Sequence, residues 1–331
     1  MAAYTTIDDS EAYFQCKLYT GNNTGQSITF DGDTDMQPNM IWNKSRSNTE
    51  AHNMWDSVRG VEKYLTVNDG SSESDSGSTG VSSFDSDGFT VGSLDSMNDG
   101  SVTYVVWCWK ETADAGFDIV SYTGNDTADR EVGHSLSATP HFIIVKNRSD
   151  SSTEWFVYHQ NLTDTYNIKL SENEAQFGGS YIFDVSSSIF TLRDHNVVNG
   201  NTDAMIAYCF AEKQGFSKFG TYAGNGNADG AFIYTGFKPA CVILKCKSHT
   251  GTPWTIWDNK RPGYNVTNLR IRPDTNNAED TSTGDPIDLL SNGFKCRGSN
   301  DDSNKSGSTY IYMAWAEAPF VNSKGVPNNA G

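Results

Sequence analysis

One ordered set of landmarks occurs three times along this chain, so any fold it adopts must be one that can be built three times over. The segment Tyr19-Thr20-Gly21-Asn22 recurs as Tyr122-Thr123-Gly124-Asn125 and as Tyr222-Ala223-Gly224-Asn225, at offsets of 103 and 100 residues. A proline, an apolar run and a lysine follow in each copy: Pro38 to Lys44, Pro140 to Lys146 and Pro239 to Lys245. Next come Trp55-Asp56, Tyr158-His159 and Trp257-Asp258, with Arg59 and Arg261 three residues further on in the first and third copies. A short segment at Gly88–Val91, Ile189–Leu192 and Gly293–Cys296 precedes an aromatic run that closes on Glu111, Glu212 and Glu317.

A period this long exceeds the 20 to 50 residues typical of solenoid units, so each copy is expected to be a domain with its own core. The expected boundaries are 1–112, 113–213 and 214–331. Short apolar and aromatic runs separated by Gly, Asn, Asp and Ser clusters predict strands and tight turns. The fold class expected is all-β, three tandem β-sandwich repeats of jelly-roll-like form. In the Tyr-Thr-Gly-Asn segment the glycine is expected to turn the chain through a positive φ, which a residue without Cβ adopts freely. The proline suits the first residue of a strand, and the lysine at the far end is expected to emerge into solvent. Residues 68–83 are polar and of low complexity, which predicts a mobile loop. The corresponding intervals, including Leu170 to Ser180 and Pro273 to Asp285, differ in sequence, and recognition could reside in such variable loops on a repeated frame.

The six cysteines do not form a disulfide framework. Cys16 aligns with Ile119 and Phe219, Cys241 with Met40 and Phe142, and Cys296 with Val91 and Leu192, while Cys108 and Cys209 share a place that Ala314 fills in the third copy. Thiols that alternate with apolar residues read as reduced core residues of a chain folded in a cytoplasm. The histidines, His52, His134, His141, His159, His195 and His249, show no metal-binding spacing. Asp31 to Asp35 alternates carboxylates like a calcium loop, but Met36 stands where the turn glycine belongs. Gly224 to Gly230 lacks the spacing and the following helix of a dinucleotide loop. No residue is singled out as catalytic, cofactor-binding or metal-ligating, and no enzyme activity or cofactor is expected. Glycoside hydrolysis would need a carboxylate pair that the sequence does not select.

The 41 acidic residues against 24 basic ones give a net charge of −17, with no basic cluster, which argues against nucleic acid as a partner. The N-terminal stretch lacks the basic start and apolar core of a signal peptide. No apolar run approaches the roughly 20 residues of a membrane-spanning helix, so membrane insertion is not expected. Trp55, Trp155, Trp254 and Trp257 could offer faces for stacking sugars, although their repetition at matching places favours core packing.

The opening Tyr4 to Asn22, the junction Ala207 to Ala240 and the ending Tyr312 to Gly331 resemble a family of marine-bacteriophage proteins encoded among structural genes. The resemblance spans nearly the whole chain and brings no catalytic or ligand residues with it. It implies a non-enzymatic virion component made in the bacterial host cytoplasm and placed at a tail fibre, tail tip or capsid surface. The partners it implies are other virion proteins and further copies of the chain, with a trimer expected by analogy with phage fibres. The alternative reading is a carbohydrate-binding adhesin that recognises host-envelope glycans.

Overall fold

The computed structural model describes residues 4–162, 165–179 and 181–328. Ser180, at the end of the second variable interval, and the outermost residues of the first and third copies lie outside that range. The chain is all-β, built from antiparallel sheets with short helical turns at Asp95–Asn98 and Asn196–Asn199.

The same strand order appears three times. In the first copy a large sheet runs Phe14–Thr20, Thr103–Trp109, Met40–Ser45, Asn53–Asp56, Lys63–Thr66, Ser74–Asp75, and a small sheet runs Gln26–Ile28, Gly88–Val91, Val81–Asp85. The second copy repeats both orders, its large sheet starting Phe117–Thr123, Ala204–Phe210, Phe142–Asn147 and Phe156–His159. The third has Ser217–Ala223, Thr309–Pro319, Phe237–Cys246 and Thr255–Asp258, extended by an isolated bridge between Ile256 and Ile271. First and last strands of each copy lie side by side, so each large sheet is closed by the two ends of its own segment.

The closing strands carry unbroken apolar runs because they are buried on both faces, and successive side chains of a strand point to opposite sides. On Thr103–Trp109, Val106 and Cys108 face the small sheet of their own copy, where they meet Ile28, Phe89 and Val91. Val105, Trp107 and Trp109 face the other way, into a core shared with Ile206, Tyr208 and Phe210 of the second copy and Ile311, Met313 and Trp315 of the third. At its centre Trp109, Phe210 and Trp315 touch one another edge to face, with centroids 5.1 to 6.3 Å apart. The first two copies keep separate cores between their sheets, whereas in the third that core is continuous with the common one. The largest core thus belongs to all three copies, which goes beyond the private cores expected from the period.

The contacts between copies form a ring. Glu73 of the first copy donates its backbone N–H to the Arg148 carbonyl of the second at 2.9 Å, Gln176 of the second does the same to Lys247 of the third at 2.9 Å, and Glu279 of the third to Arg46 of the first at 2.8 Å. Two of these latches carry forked ion pairs: Arg148 on Glu73 at 2.8 and 2.9 Å, and Arg46 on Glu279 at 3.1 and 2.9 Å. Paired planar donors on a carboxylate fix orientation as well as distance. The variable intervals therefore supply the latches. Residues 68–83 are not the mobile loop expected from their composition, for they form the strand Ser74–Asp75, a 3-10 turn at Gly77–Thr79 and part of Val81–Asp85.

The Tyr-Thr-Gly-Asn landmark also has a different cause from the one expected. Gly21, Gly124 and Gly224 are not left-handed; a Cβ at each would lie 2.0, 1.9 and 2.2 Å from the carbonyl oxygens of Asp99, Gly200 and Lys305. Close backbone approach is what requires glycine. A fully buried asparagine holds each turn: the side-chain oxygens of Asn98, Asn199 and Asn304 accept the N–H of Asn22, Asn125 and Asn225 at 3.0, 3.0 and 2.9 Å. The landmark tyrosines finish the clasp, with Tyr19, Tyr122 and Tyr222 donating to the carbonyls of Met97, Val198 and Ser303 at 2.7, 2.7 and 2.6 Å.

Candidate functional site

The side chains that would ordinarily mark a reaction centre are buried and bound to one another, some of them across copies. Tyr208 of the second copy donates to Asp56 of the first at 2.7 Å, and Trp107 of the first donates to Asp258 of the third at 3.1 Å. His159, which matches those aspartates in the second copy, sets its Nε2 3.3 Å from the Tyr312 carbonyl of the third. Arg59 and Arg261 bind Asp56 and Asp258 through Nε, reach the carbonyls of Met54 and Ile256 through Nη2, and extend Nη1 to Glu73 and Glu279. Buried charges persist only when paired and hydrogen-bonded, and this set satisfies that requirement. Burial holds His159 far below the usual imidazole range, at about 3, so its ring is neutral, with Nδ1 accepting the Asn161 N–H at 3.1 Å.

Lys44, Lys146 and Lys245 do not emerge into solvent. Each is fully buried, and desolvation lowers each ammonium to about 8. Lys146 donates to the carbonyls of Thr153 at 2.7 Å and of Gly70, in the first copy, at 2.9 Å. Lys44 caps Ser45 and Asn48 at 2.6 and 3.0 Å, and Lys245 caps Thr252 at 2.5 Å. A buried lysine of lowered basicity is a familiar catalytic device, but threefold recurrence against backbone carbonyls makes these capping groups of the scaffold.

All eight tryptophans are buried, none above 2% exposure, so Trp55, Trp155, Trp254 and Trp257 cannot be sugar platforms. The indoles of Trp155 and Trp254 instead donate across copies, to the carbonyls of Thr66 and Lys169 at 2.8 and 2.7 Å. All six cysteines are buried and free. Among the described residues no cluster of three His, Cys, Asp or Glu side chains is placed to hold a metal, and no helix is long and apolar enough to cross a membrane. Asp31, from the calcium-like stretch, faces Lys17 and Lys260 at 3.5 and 3.2 Å.

The ring is regular at two of its three seams. At the first, the Glu111 carboxylate accepts the backbone N–H of Ile119 at 3.0 Å, and at the second Glu212 accepts that of Phe219 at 2.9 Å. At the third the matching pair would be Glu317 and Cys16, and among the described residues no hydrogen bond joins them. Glu317 turns instead to Lys238 at 3.1 Å and to the Asn259 amide at 2.8 Å. A cavity of about 20 Å³ lies between Cys16 and Glu317, and beside it opens a groove of about 530 Å³ lined by Lys238, Asn259, Lys260, Tyr264, Asn265 and Glu317.

The wall of that groove is a local insertion. From Asp56 to the next strand at Lys63, and from His159 to Tyr166, is seven residues; from Asp258 to Leu269 is eleven. The longer connection carries Tyr264, a residue 79% exposed, and Asn265 pins the connection by accepting the Leu289 N–H at 2.9 Å and donating to the Leu289 carbonyl at 2.8 Å. Neither Tyr264 nor the latch residues Glu73 and Glu279 carry a motif that marks them in the sequence. The four extra residues of the third copy were the available signal for Tyr264.

The fold and its interior thus define an all-β protein of antiparallel sheets whose three repeated segments are joined in a ring. The chain belongs to the family described as a domain of unknown function (DUF7483), whose sequence profile matches residues 9–319. No curated protein and no solved structure matches it.

Proposed function

We propose that this chain is a non-enzymatic structural component of a bacteriophage particle, placed at a tail fibre, tail tip or capsid surface. In this reading each copy is a β-sandwich of jelly-roll type and the chain is a scaffold. The observation that carries it is that the interior Asp, Arg, Lys and His side chains are taken up by the scaffold: Asp56, Asp258, His159 and Lys146 bind across copies, while Arg59, Arg261, Lys44 and Lys245 brace their own copy. An enzyme reserves such groups for substrate, whereas here they bind the scaffold itself, within a copy or between copies. The resemblance of the opening, junction and ending segments to marine-bacteriophage structural proteins supplies the particle. Its partners are then other virion proteins and further copies of the chain.

The test is mass spectrometry of gradient-purified particles, followed by cryo-electron microscopy to search for a density of three packed β-units. Stoichiometric recovery with intact particles is expected, and the map would give both position and copy number. Absence from purified particles overturns the proposal.

A further inference from the structure

We infer that the groove at the third seam is a saccharide-binding site, with Tyr264 as its stacking face and Asn259, Lys238, Lys260 and Glu317 as its polar rim. Three observations converge there. The groove sits where the repeat departs from its own pattern: Glu317 is released from the backbone contact that Glu111 and Glu212 make, and the adjoining connection is four residues longer than its counterparts. Tyr264 adjoins the anchored Asn265, and at 79% exposure it is the most open of the large hydrophobic residues among those described. Asn259 spends its amide N–H on Glu317, while its side-chain oxygen is buried without a partner. An unmade acceptor of this kind is costly, and since the oxygen is closed to solvent a ligand donor reaches it only when the atoms that cover it move.

The chemistry favours a sugar over other ligands. A pyranose presents an apolar face of C–H groups and an edge of hydroxyls that both donate and accept. A flat exposed aromatic ring beside carboxylate, amide and ammonium groups matches both faces at once. Both lysines are already paired, Lys238 with Glu317 and Lys260 with Asp31 at 3.2 Å, so the rim offers hydrogen bonds without a net cationic field for phosphate. The groove's volume of about 530 Å³ falls in the range of small-ligand sites, roughly 300–1,000 Å³. A second groove of about 470 Å³ at the Glu212 seam is crossed by Tyr4, whose hydroxyl donates to the Gly236 carbonyl at 3.0 Å. That leaves the third seam as the more open of the two.

The experiment uses the full chain on a printed array of bacterial-envelope oligosaccharides comprising lipopolysaccharide core, O-chain and peptidoglycan fragments. The strongest ligand is then titrated by saturation-transfer NMR. Tyr264→Ala should weaken binding by about tenfold or more, and Lys260→Ala should weaken it less. Tyr166→Ala, an exposed aromatic of the second copy, should leave it unchanged. All three variants should melt like the parent, since Tyr264 and Tyr166 pack little and Lys260 lies at the surface. No array signal, or a signal that Tyr264→Ala leaves intact, overturns the assignment. Particle association is measured separately and does not depend on it.

Discussion

The phenol of Tyr208 reaches across from the second copy and donates, at 2.7 Å, to a carboxylate oxygen of Asp56 in the first, at a point where neither side chain meets solvent. Tyr208→Phe keeps the packing and removes only that donor, leaving Asp56 to Arg59. A hydrogen bond to a buried charge is worth about 2 kcal/mol. Urea denaturation should show a loss of that size, with Tyr166→Phe at the surface giving no change. Equal stability of the two variants would mean that the cross-copy bond contributes nothing.

Glu279 holds two arginines, Arg261 from its own copy at 3.2 Å and Arg46 from the next at 2.9 Å. Glu279→Ala takes the Nη1 partner from the buried Arg261, which keeps Asp258 and the Ile256 carbonyl, and should cost about 2 kcal/mol. In a double-mutant cycle with Arg46→Ala, the two losses should sum to more than the loss in the double variant. Strict additivity would show that the latch carries no coupling.

His159 binds a proton in the unfolded chain near its ordinary pKa of 6.5 but, buried, only at about 3. The unfolded state therefore holds more protons between those values. The stability this group confers is complete above pH 6.5 and is lost as pH falls toward the folded value. Between pH 7 and pH 5 its share of the loss is about 2 kcal/mol. His159→Gln should reduce the acid sensitivity of unfolding by that difference, measured by denaturation at both pH values. An unchanged pH slope would refute the assignment.

Gly124→Ala would place a methyl 1.9 Å from the Gly200 carbonyl oxygen, which is backbone and cannot swing aside. A loss of about 2 kcal/mol or more is expected. Gly178→Ala, with no atom within 4 Å of the new Cβ, is the matched control. Thermal melts of the pair should separate clearly, and matching melts would exclude close approach as the reason for the glycine.

Burial raises the pKa of the thiols of Cys16, Cys108, Cys209, Cys241 and Cys296. Since the thiolate is the reactive form, iodoacetamide at pH 8 should label none of the six cysteines in the native protein and all of them in guanidinium. Rapid native labelling at any one, located by peptide mass spectrometry, would contradict its placement in the core.

What could be read in the sequence was whatever the period exposed. The landmark strands, the apolar alignment of the cysteines and the all-β class followed from comparing each copy with the others. The lysines misled because a charge at the end of an apolar run ordinarily marks solvent, and nothing local announces the ring of carbonyls around Lys146. The buried asparagines were missed although each stands six residues before Tyr104, Met205 or Tyr310, because Asn in a polar cluster looks like an ordinary turn residue. The latch roles of Glu73 and Glu279 depend on Arg148 and Arg46, which are distant in sequence, so composition showed only polar loops. Tyr264 was hidden for the opposite reason, since a comparison of repeats passes over a connection that is longer in one copy than in the others.

The unequal seams have an evolutionary consequence. In an assembly of three separate identical chains, every substitution would appear at all three interfaces, and a groove could open at one only by opening at all. Tethering the three units in one polypeptide removes that constraint: two seams keep their glutamate-to-backbone closure while the third is free to drift. Covalent linkage also keeps neighbouring units at high effective concentration, so the altered seam can give up a hydrogen bond without the ring coming apart.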